Sequence, residues 1–269
     1  MTVYSFCPKP IQQEIAKTTL KNKGNSYDID LYKQLWINWI KDFAGCEHKK
    51  EWAITNGIHE AIVHQLAHVM SRFDRVYWFE TDYLFYDSIT RPYNSFCIHP
   101  SNIRKIKSNS YIIVSQPNHE GGITPWFKDL IAHAEKNNCK IFLDCAFYGC
   151  TLDSLDTSLD VFDAVAFSLS KNFLLGGYRA GIIFSDSLPQ TLTLPIGTHF
   201  SYNYYNTTAV EVAKIVLPNF PATYITKVAK PIQLSHCEKN GLKPADIWMW
   251  AFDQEGNKIC ITDYIKDEI

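Results

Sequence analysis

Short apolar runs recur along the chain, each closed by polar residues or glycine: Glu51 to Thr55, Val76 to Glu80, Tyr111 to Ser115, Lys140 to Asp144, Ala164 to Ser168 and Gly181 to Ser185. Their length and their β-branched and aromatic content predict buried strands. Helix-period stretches lie between them. From Glu60 to Phe73, Ile62, Leu66, Val69 and Met70 fall on one stripe; from Pro125 to Asn137, Trp126, Leu130, Ile131 and Ala134 fall on another. Tyr32 to Phe43 reads as an amphipathic helix rich in Trp and Ile. Strands alternating with helices predict an α/β fold with a mostly parallel central sheet and helices on both faces. After Pro221 the pattern becomes a helix to about His236, then two short strands around Trp248 and Ile261. This predicts a large domain over 20–220 and a small α+β C-terminal domain over 221–269, with residues 1–19 a candidate addition to the latter. No repeat or low-complexity tract interrupts the pattern.

Composition allows this reading and narrows the functions. With 269 residues, 46% of them hydrophobic, the chain can bury one large core, or one core and a small appendage. A net charge of -2 gives no electrostatic case for nucleic acid or an anionic membrane. No apolar run reaches the roughly 20 residues of a membrane span, and Lys9, Gln12, Glu14 and Lys17 break up the first residues too early for a signal peptide. Eight cysteines include no Cys-x-x-Cys pair. Their setting, as in Ile141-Phe-Leu-Asp-Cys145, suits reduced core thiols in a cytoplasmic protein and argues against zinc.

The strongest chemical signal is Ser168-Leu-Ser170-Lys171-Asn-Phe-Leu-Leu-Gly-Gly-Tyr-Arg179-Ala-Gly181. It follows one apolar run and leads into another, so Lys171 stands at a strand end, where an amine can be tuned to attack a carbonyl. Hydroxyls flank it, and eight residues on Arg179 supplies a fixed positive charge. The segment resembles the lysine motif of the fold-type I pyridoxal-phosphate (PLP) enzymes, the aminotransferase class I/II family. There, Ser-x-Ser-Lys carries the cofactor as a Schiff base, and an Arg eight residues later binds its phosphate.

Further fragments match in the same order, each after a strand. Thr55-Asn56-Gly57-Ile58-His59-Glu60-Ala61-Ile62 is a glycine turn opening a helix, an anion site by its free N–H groups and dipole; it resembles the family's phosphate turn, although a plain turn before a helix is the alternative. Phe142-Leu-Asp144-Cys-Ala-Phe147-Tyr148 ends an apolar run on a carboxylate. Such an acid needs a cation or hydrogen bonds, and the resemblance implies that Asp144 holds the cofactor's ring nitrogen protonated. A helix-capping role is the alternative. Phe147 stands where the family has a tyrosine that contacts the cofactor's phenolic oxygen, with Tyr148 beside it. Ser115-Gln-Pro117-Asn118-His119-Glu-Gly-Gly122 is similar to the family's Asn-Pro-x-Asn-Pro-Thr-Gly loop, with His119 aligned on the second asparagine and Asn118 adjacent; a solvated loop histidine is the other reading. Tyr83, after the run at Val76, takes the place of the ring that stacks on the pyridine, or else packs in the core. Tyr27 matches a tyrosine that reaches across a dimer interface to the neighbour's phosphate.

The resemblance spans roughly Tyr27 to Ser185. It implies PLP as cofactor, a small-molecule amino acid or amine substrate, an aminotransferase-like reaction with Lys171 and Asp144 as catalytic residues, and a homodimer. A lyase, racemase, decarboxylase or cyclase, or a non-catalytic protein of the same fold, remains open. The family's C-terminal arginine, which grips the substrate carboxylate as a fork, has no counterpart here, because Arg179 is the last arginine of the chain. The resemblance therefore implies a substrate without that group, or one held by Arg91, Arg104 or a backbone site.

Overall fold

The computed structural model describes residues 7–19, 29–40, 49–118, 121–153, 155–194 and 206–269. Tyr27 and His119 lie outside the described residues. The chain order is α1 (Lys9–Thr19), α2 (Ile29–Ile40), β1 (Glu51–Thr55), α3 (Ile58–Val69), β2 (Val76–Phe79), α4 (Phe85–Thr90), β3 (Ser95–Ile98), β4 (Tyr111–Ser115), α5 (Phe127–Lys136), β5 (Lys140–Cys145), β6 (Phe162–Ser168) and β7 (Gly181–Ser185). Then follow α6 (Gln190–Leu194), α7 (Thr207–Asn219), α8 (Tyr224–Asn240), β8 (Lys243–Pro244), β9 (Trp250–Phe252), β10 (Lys258–Cys260) and α9 (Thr262–Ile265).

Seven strands form one sheet in the order β1-β7-β6-β5-β4-β2-β3. The pairs β3-β2, β2-β4, β4-β5 and β5-β6 are parallel, while β7 runs antiparallel to β6 and β1. The expected strands are all present, and β3 is an addition. Side chains alternate between two cores, as the pleat requires. In β4, Tyr111 and Ile113 face one side with α3, whereas Ile112 and Val114 face the other. In β6, Ala164 and Ala166 join the α3 side and Val165 and Phe167 the opposite one. Burial on both faces explains why these strands read as unbroken apolar runs.

α3 buries Ile58, Ala61, Ile62, Gln65, Leu66 and Val69, an i, i+3, i+4, i+7 stripe. Gln65 is polar within that stripe, and its amide bonds to Asp163 Oδ2 (2.9 Å), Ser185 Oγ (3.2 Å) and the Ser187 carbonyl (3.1 Å). On the other face, α5 contributes Phe127, Leu130 and Ala134, and α1, α2, α7 and α8 share the same cluster. Residues 221–269 add α8, α9 and the three-stranded sheet β10-β9-β8, and Ile225, Ala229, Ile247, Trp248 and Met249 belong to the cluster that covers the large sheet. The segment after α8 is tied across the carboxyl ends of the strands: Ile247 N–H donates to the Gly121 carbonyl and Trp248 N–H to that of Cys150, both at 3.3 Å. Among the described residues, no helix is long and apolar enough to cross a membrane.

Candidate active site

Register places the chemistry in one row. Ser115 pairs with Asp144 and Asp144 with Ala166, while Ser168 and Thr55 both pair with Gly181. Five strands of the sheet therefore bring these residues to its parallel strands' carboxyl end, where open α/β sheets gather ligands.

Asp144 is 5% exposed. Its Oδ2 accepts the Tyr86 hydroxyl at 2.6 Å, and its Oδ1 accepts the Ala146 N–H at 2.8 Å. Burial pushes its carboxyl up to about 6, against the two hydrogen bonds and the positive charge of Lys171, which all hold it down. Burial, with Asp144 next, drives the Tyr86 hydroxyl well above the phenol range, so it remains a donor. Lys171 follows β6 in a tight turn in which its carbonyl accepts the Leu174 N–H at 3.3 Å. Its Nζ stands 5.7 Å from the centre of the Phe147 ring, within cation–π range. Asp144, Phe147 and Lys171 thus share one locality. Tyr148 turns the other way: its hydroxyl donates to the Ile40 carbonyl at 2.9 Å, and its ring packs on Trp39 and Phe167. Its hydroxyl is held by the Ile40 carbonyl and so does not take the place of the family's phenol at position 147.

A second group forms around the turn between β1 and α3. Gly57 has φ 79 and caps α3 with no side-chain hydrogen bond. Arg179, itself at φ 57, donates from Nε and Nη2 to the Asn56 carbonyl at 3.2 and 2.8 Å. Gly181 is required by proximity, since a Cβ there would lie 2.9 Å from Gly57 Cα. Ile58 is buried, and the His59 ring, 4.9 Å from Phe85, has its pKa lowered by burial and by Arg179. Glu60 folds back on the Asn56 side-chain amide at 3.1 Å. Ser168 and Ser170 are both buried, and the hydroxyls of Ser170 and Thr55 have no hydrogen-bond partner among the described residues.

Tyr83 is 49% exposed and packs on Phe85 and edge-on to Tyr86, so it is a surface ring beside the site and outside the core. Asn118 is buried; its amide donates to the Thr81 carbonyl at 3.3 Å, and its backbone forms a bridge with Gly122. Sequence reasoning missed three residues. Tyr86 holds Asp144, yet only its place three residues after Tyr83 marks it among 15 tyrosines. Asp82 accepts the Ser115 and Tyr83 N–H groups and so fixes β2's exit to β4. Asn206 donates to Asn56 Oδ1 at 2.9 Å and to the Tyr178 carbonyl at 3.2 Å.

A seven-stranded, mostly parallel α/β sheet with helices on both faces defines a class of architecture, and solved structures share this fold. The chain resembles tyrosine aminotransferase from Leishmania infantum (TM-score 0.67, 14% identity, over 93% of this chain and 73% of that one). It is similar to aspartate aminotransferase from Thermus thermophilus with maleate (0.67, 14%, 92% and 74%) and to a PLP-bound C-S lyase from Staphylococcus hominis (0.69, 11%, 91% and 71%). The chain has the fold of these enzymes. No protein-family model and no curated protein matches its sequence.

Proposed function

We propose that this chain is a PLP-dependent enzyme that forms a Schiff base at Lys171 and transfers an amino group between an amino acid or amine and a keto acid. One observation carries the reading: a buried carboxylate, Asp144, within the field of Lys171, on the same strand-end row as a glycine turn clasped by Arg179. The residues fit the cofactor. An ionised carboxylate at the end of β5 suits a protonated pyridine. The orphaned hydroxyls of Ser170 and Thr55, the Arg179 guanidinium and the N-terminus of α3 suit a phosphate.

When bound, PLP supplies an electron sink for the substrate's Cα. Asp144 holds a proton at the ring nitrogen. Lys171 Nζ would be the nucleophile that holds the cofactor, and would also serve as the base that takes up the substrate's Cα proton. Arg179, Asn56, Gly57, Ile58, His59, Ser168 and Ser170 would hold the phosphate, Tyr83 would pack on the ring, and Asn118 with Phe147, and His119 by the family resemblance, would serve its reacting end. By the family resemblance, Tyr27 would serve the site of a second copy. The exposed strip Tyr83, Leu84 (74%) and Phe85 supports such a homodimer, since apolar side chains of that exposure beside a site call for a cover.

Aminotransferases and a C-S lyase share the fold, so the reaction needs its own test. Purified protein with PLP is expected to show a visible absorption band that borohydride removes and that Lys171→Ala never develops. Amino-group transfer then requires a keto acid such as pyruvate or 2-oxoglutarate. Turnover of the amine with no keto acid present selects a lyase, racemase or decarboxylase instead, and a wild-type chain that takes up no PLP ends the proposal.

A further inference from the structure

Tyr86 is buried without solvent access, and its hydroxyl donates to Asp144 Oδ2 at 2.6 Å. It comes from α4, on the far side of β2's exit, while the second hold on the carboxyl, the Ala146 N–H, comes from the chain just after β5. The two donors take one lone pair on each oxygen and fix the plane of the group. Each oxygen keeps a second lone pair. The charged and titratable groups that act on this pair are Lys171 on Asp144, and Asp82 and Tyr83 on Tyr86.

We propose that Tyr86 is a positioning residue that decides where the proton shared between Asp144 and the cofactor's ring nitrogen resides. The proposal rests on the PLP reading above. A phenol that keeps its proton and donates it to Oδ2 favours the carboxylate over the carboxylic acid, and a carboxylate leaves the proton on the pyridine, the state that accepts electrons. Without the hydroxyl, an acid already pushed up by burial competes for that proton. Tyr86 touches neither substrate nor cofactor in this scheme. It acts through Asp144.

The test uses the full chain with Tyr86→Phe. In cofactor-free protein, a ¹³C NMR titration of the Asp144 carboxyl, assigned with Asp144→Asn, is expected to move its midpoint up by roughly one to two pH units, the size of a hydrogen bond to a charged group. In protein loaded with PLP labelled with ¹⁵N at the ring, the nitrogen signal is expected to shift from the protonated towards the neutral pyridine position. If Tyr86→Phe does not fold, incorporation of 3-fluorotyrosine, a stronger donor, is expected to move the midpoint down. A midpoint that stays put in either substitution overturns the role of Tyr86 while leaving the cofactor reading intact. Failure of wild-type protein to bind PLP overturns that reading, and the carboxyl titration still reports on Tyr86.

Discussion

Arg179 occupies the space that a side chain at position 57 would need. Its guanidinium reaches the Asn56 carbonyl from Nε and Nη2, and a Cβ built on Gly57 falls 2.5 Å from Nη2. Gly57 also holds φ 79 and ψ 177, a region open essentially to glycine alone, where an L side chain costs about 1–3 kcal/mol. Glycine is therefore demanded twice, by the backbone and by the arginine. Gly57→Ala is expected to weaken PLP binding at least about tenfold, the order of one charged hydrogen bond, because Arg179 must swing off the turn. An absorbance titration on folded protein measures it; an unchanged dissociation constant means that this turn does not hold the phosphate.

Asn206 serves two elements at once. Its Oδ1 accepts the Ala209 N–H at 3.0 Å and caps α7, while its Nδ2 ties Asn56 to the Tyr178 carbonyl. Loss of a cap of this kind costs about 0.5–2 kcal/mol. Asn206→Asp keeps the acceptor and removes the donor. Asn206→Ala is expected to lose both stability and PLP affinity, and Asn206→Asp chiefly affinity. Denaturant unfolding and a PLP titration of the two variants separate the roles, and equal affinities in both and in wild type would remove Asn206 from the site.

The sheet was legible where an apolar run marks the strand. β4 and β7, buried throughout, and the half-buried edge strand β1 have the bounds that their apolar runs predict, whereas the other edge strand, β3, with Phe96 and Cys97 exposed, carries only a three-residue run and went unseen. α7 lies beyond the motif-bearing region, and its apolar residues, Val210 and Ile215 beside the stripe of Ala209, Val212, Ala213 and Val216, make a near-continuous run that blurs the helical period. Within the site, Asp144 stands out because a carboxylate ends an apolar run, and Lys171 because hydroxyls and glycines surround it. Tyr86 and Asn206 acquire their roles only from partners 58 and 150 residues away. Tyr148 shows the converse: sequence places it beside Phe147, but a turn sends neighbours to opposite sides and its hydroxyl to Ile40.

The opposite end of β6, away from the candidate site, carries a polar cluster. Asp163, 5% exposed, accepts the Gln65 amide at 2.9 Å and the Tyr111 hydroxyl at 3.0 Å, with Arg72 more distant at 3.9 Å. Gln65→Leu fits the apolar stripe of α3 but strips the carboxylate of a buried donor. The expected cost is about 1–3 kcal/mol, the desolvation penalty of a group left short of a partner. Urea unfolding checks it, and PLP affinity is expected to stay at the wild-type value. A stabilised Gln65→Leu would show that packing outweighs the hydrogen bond there.

Asp144 makes the cofactor-free fold less stable at neutral pH, and replacing it should show this. Its carboxyl is raised from the ordinary 3.8 to about 6, so the folded chain binds this proton more tightly than the unfolded chain does. The contribution is thus fully present below pH 3.8 and is lost as pH rises through 6. The shift corresponds to about 3 kcal/mol at 1.36 kcal/mol per unit. Asparagine does not ionise and escapes that loss, but its NH₂ cannot accept the Ala146 N–H as Oδ1 does, which returns about 1 kcal/mol or more. Cofactor-free Asp144→Asn is therefore expected to be more stable than wild type by about 1–2 kcal/mol at pH 8. At pH 4 the order is expected to vanish or reverse. Urea unfolding at the two pH values measures it. A wild-type advantage of the same size at both would mean that burial does not raise this carboxyl, and that the acid at the end of β5 is not held in reserve for a cation.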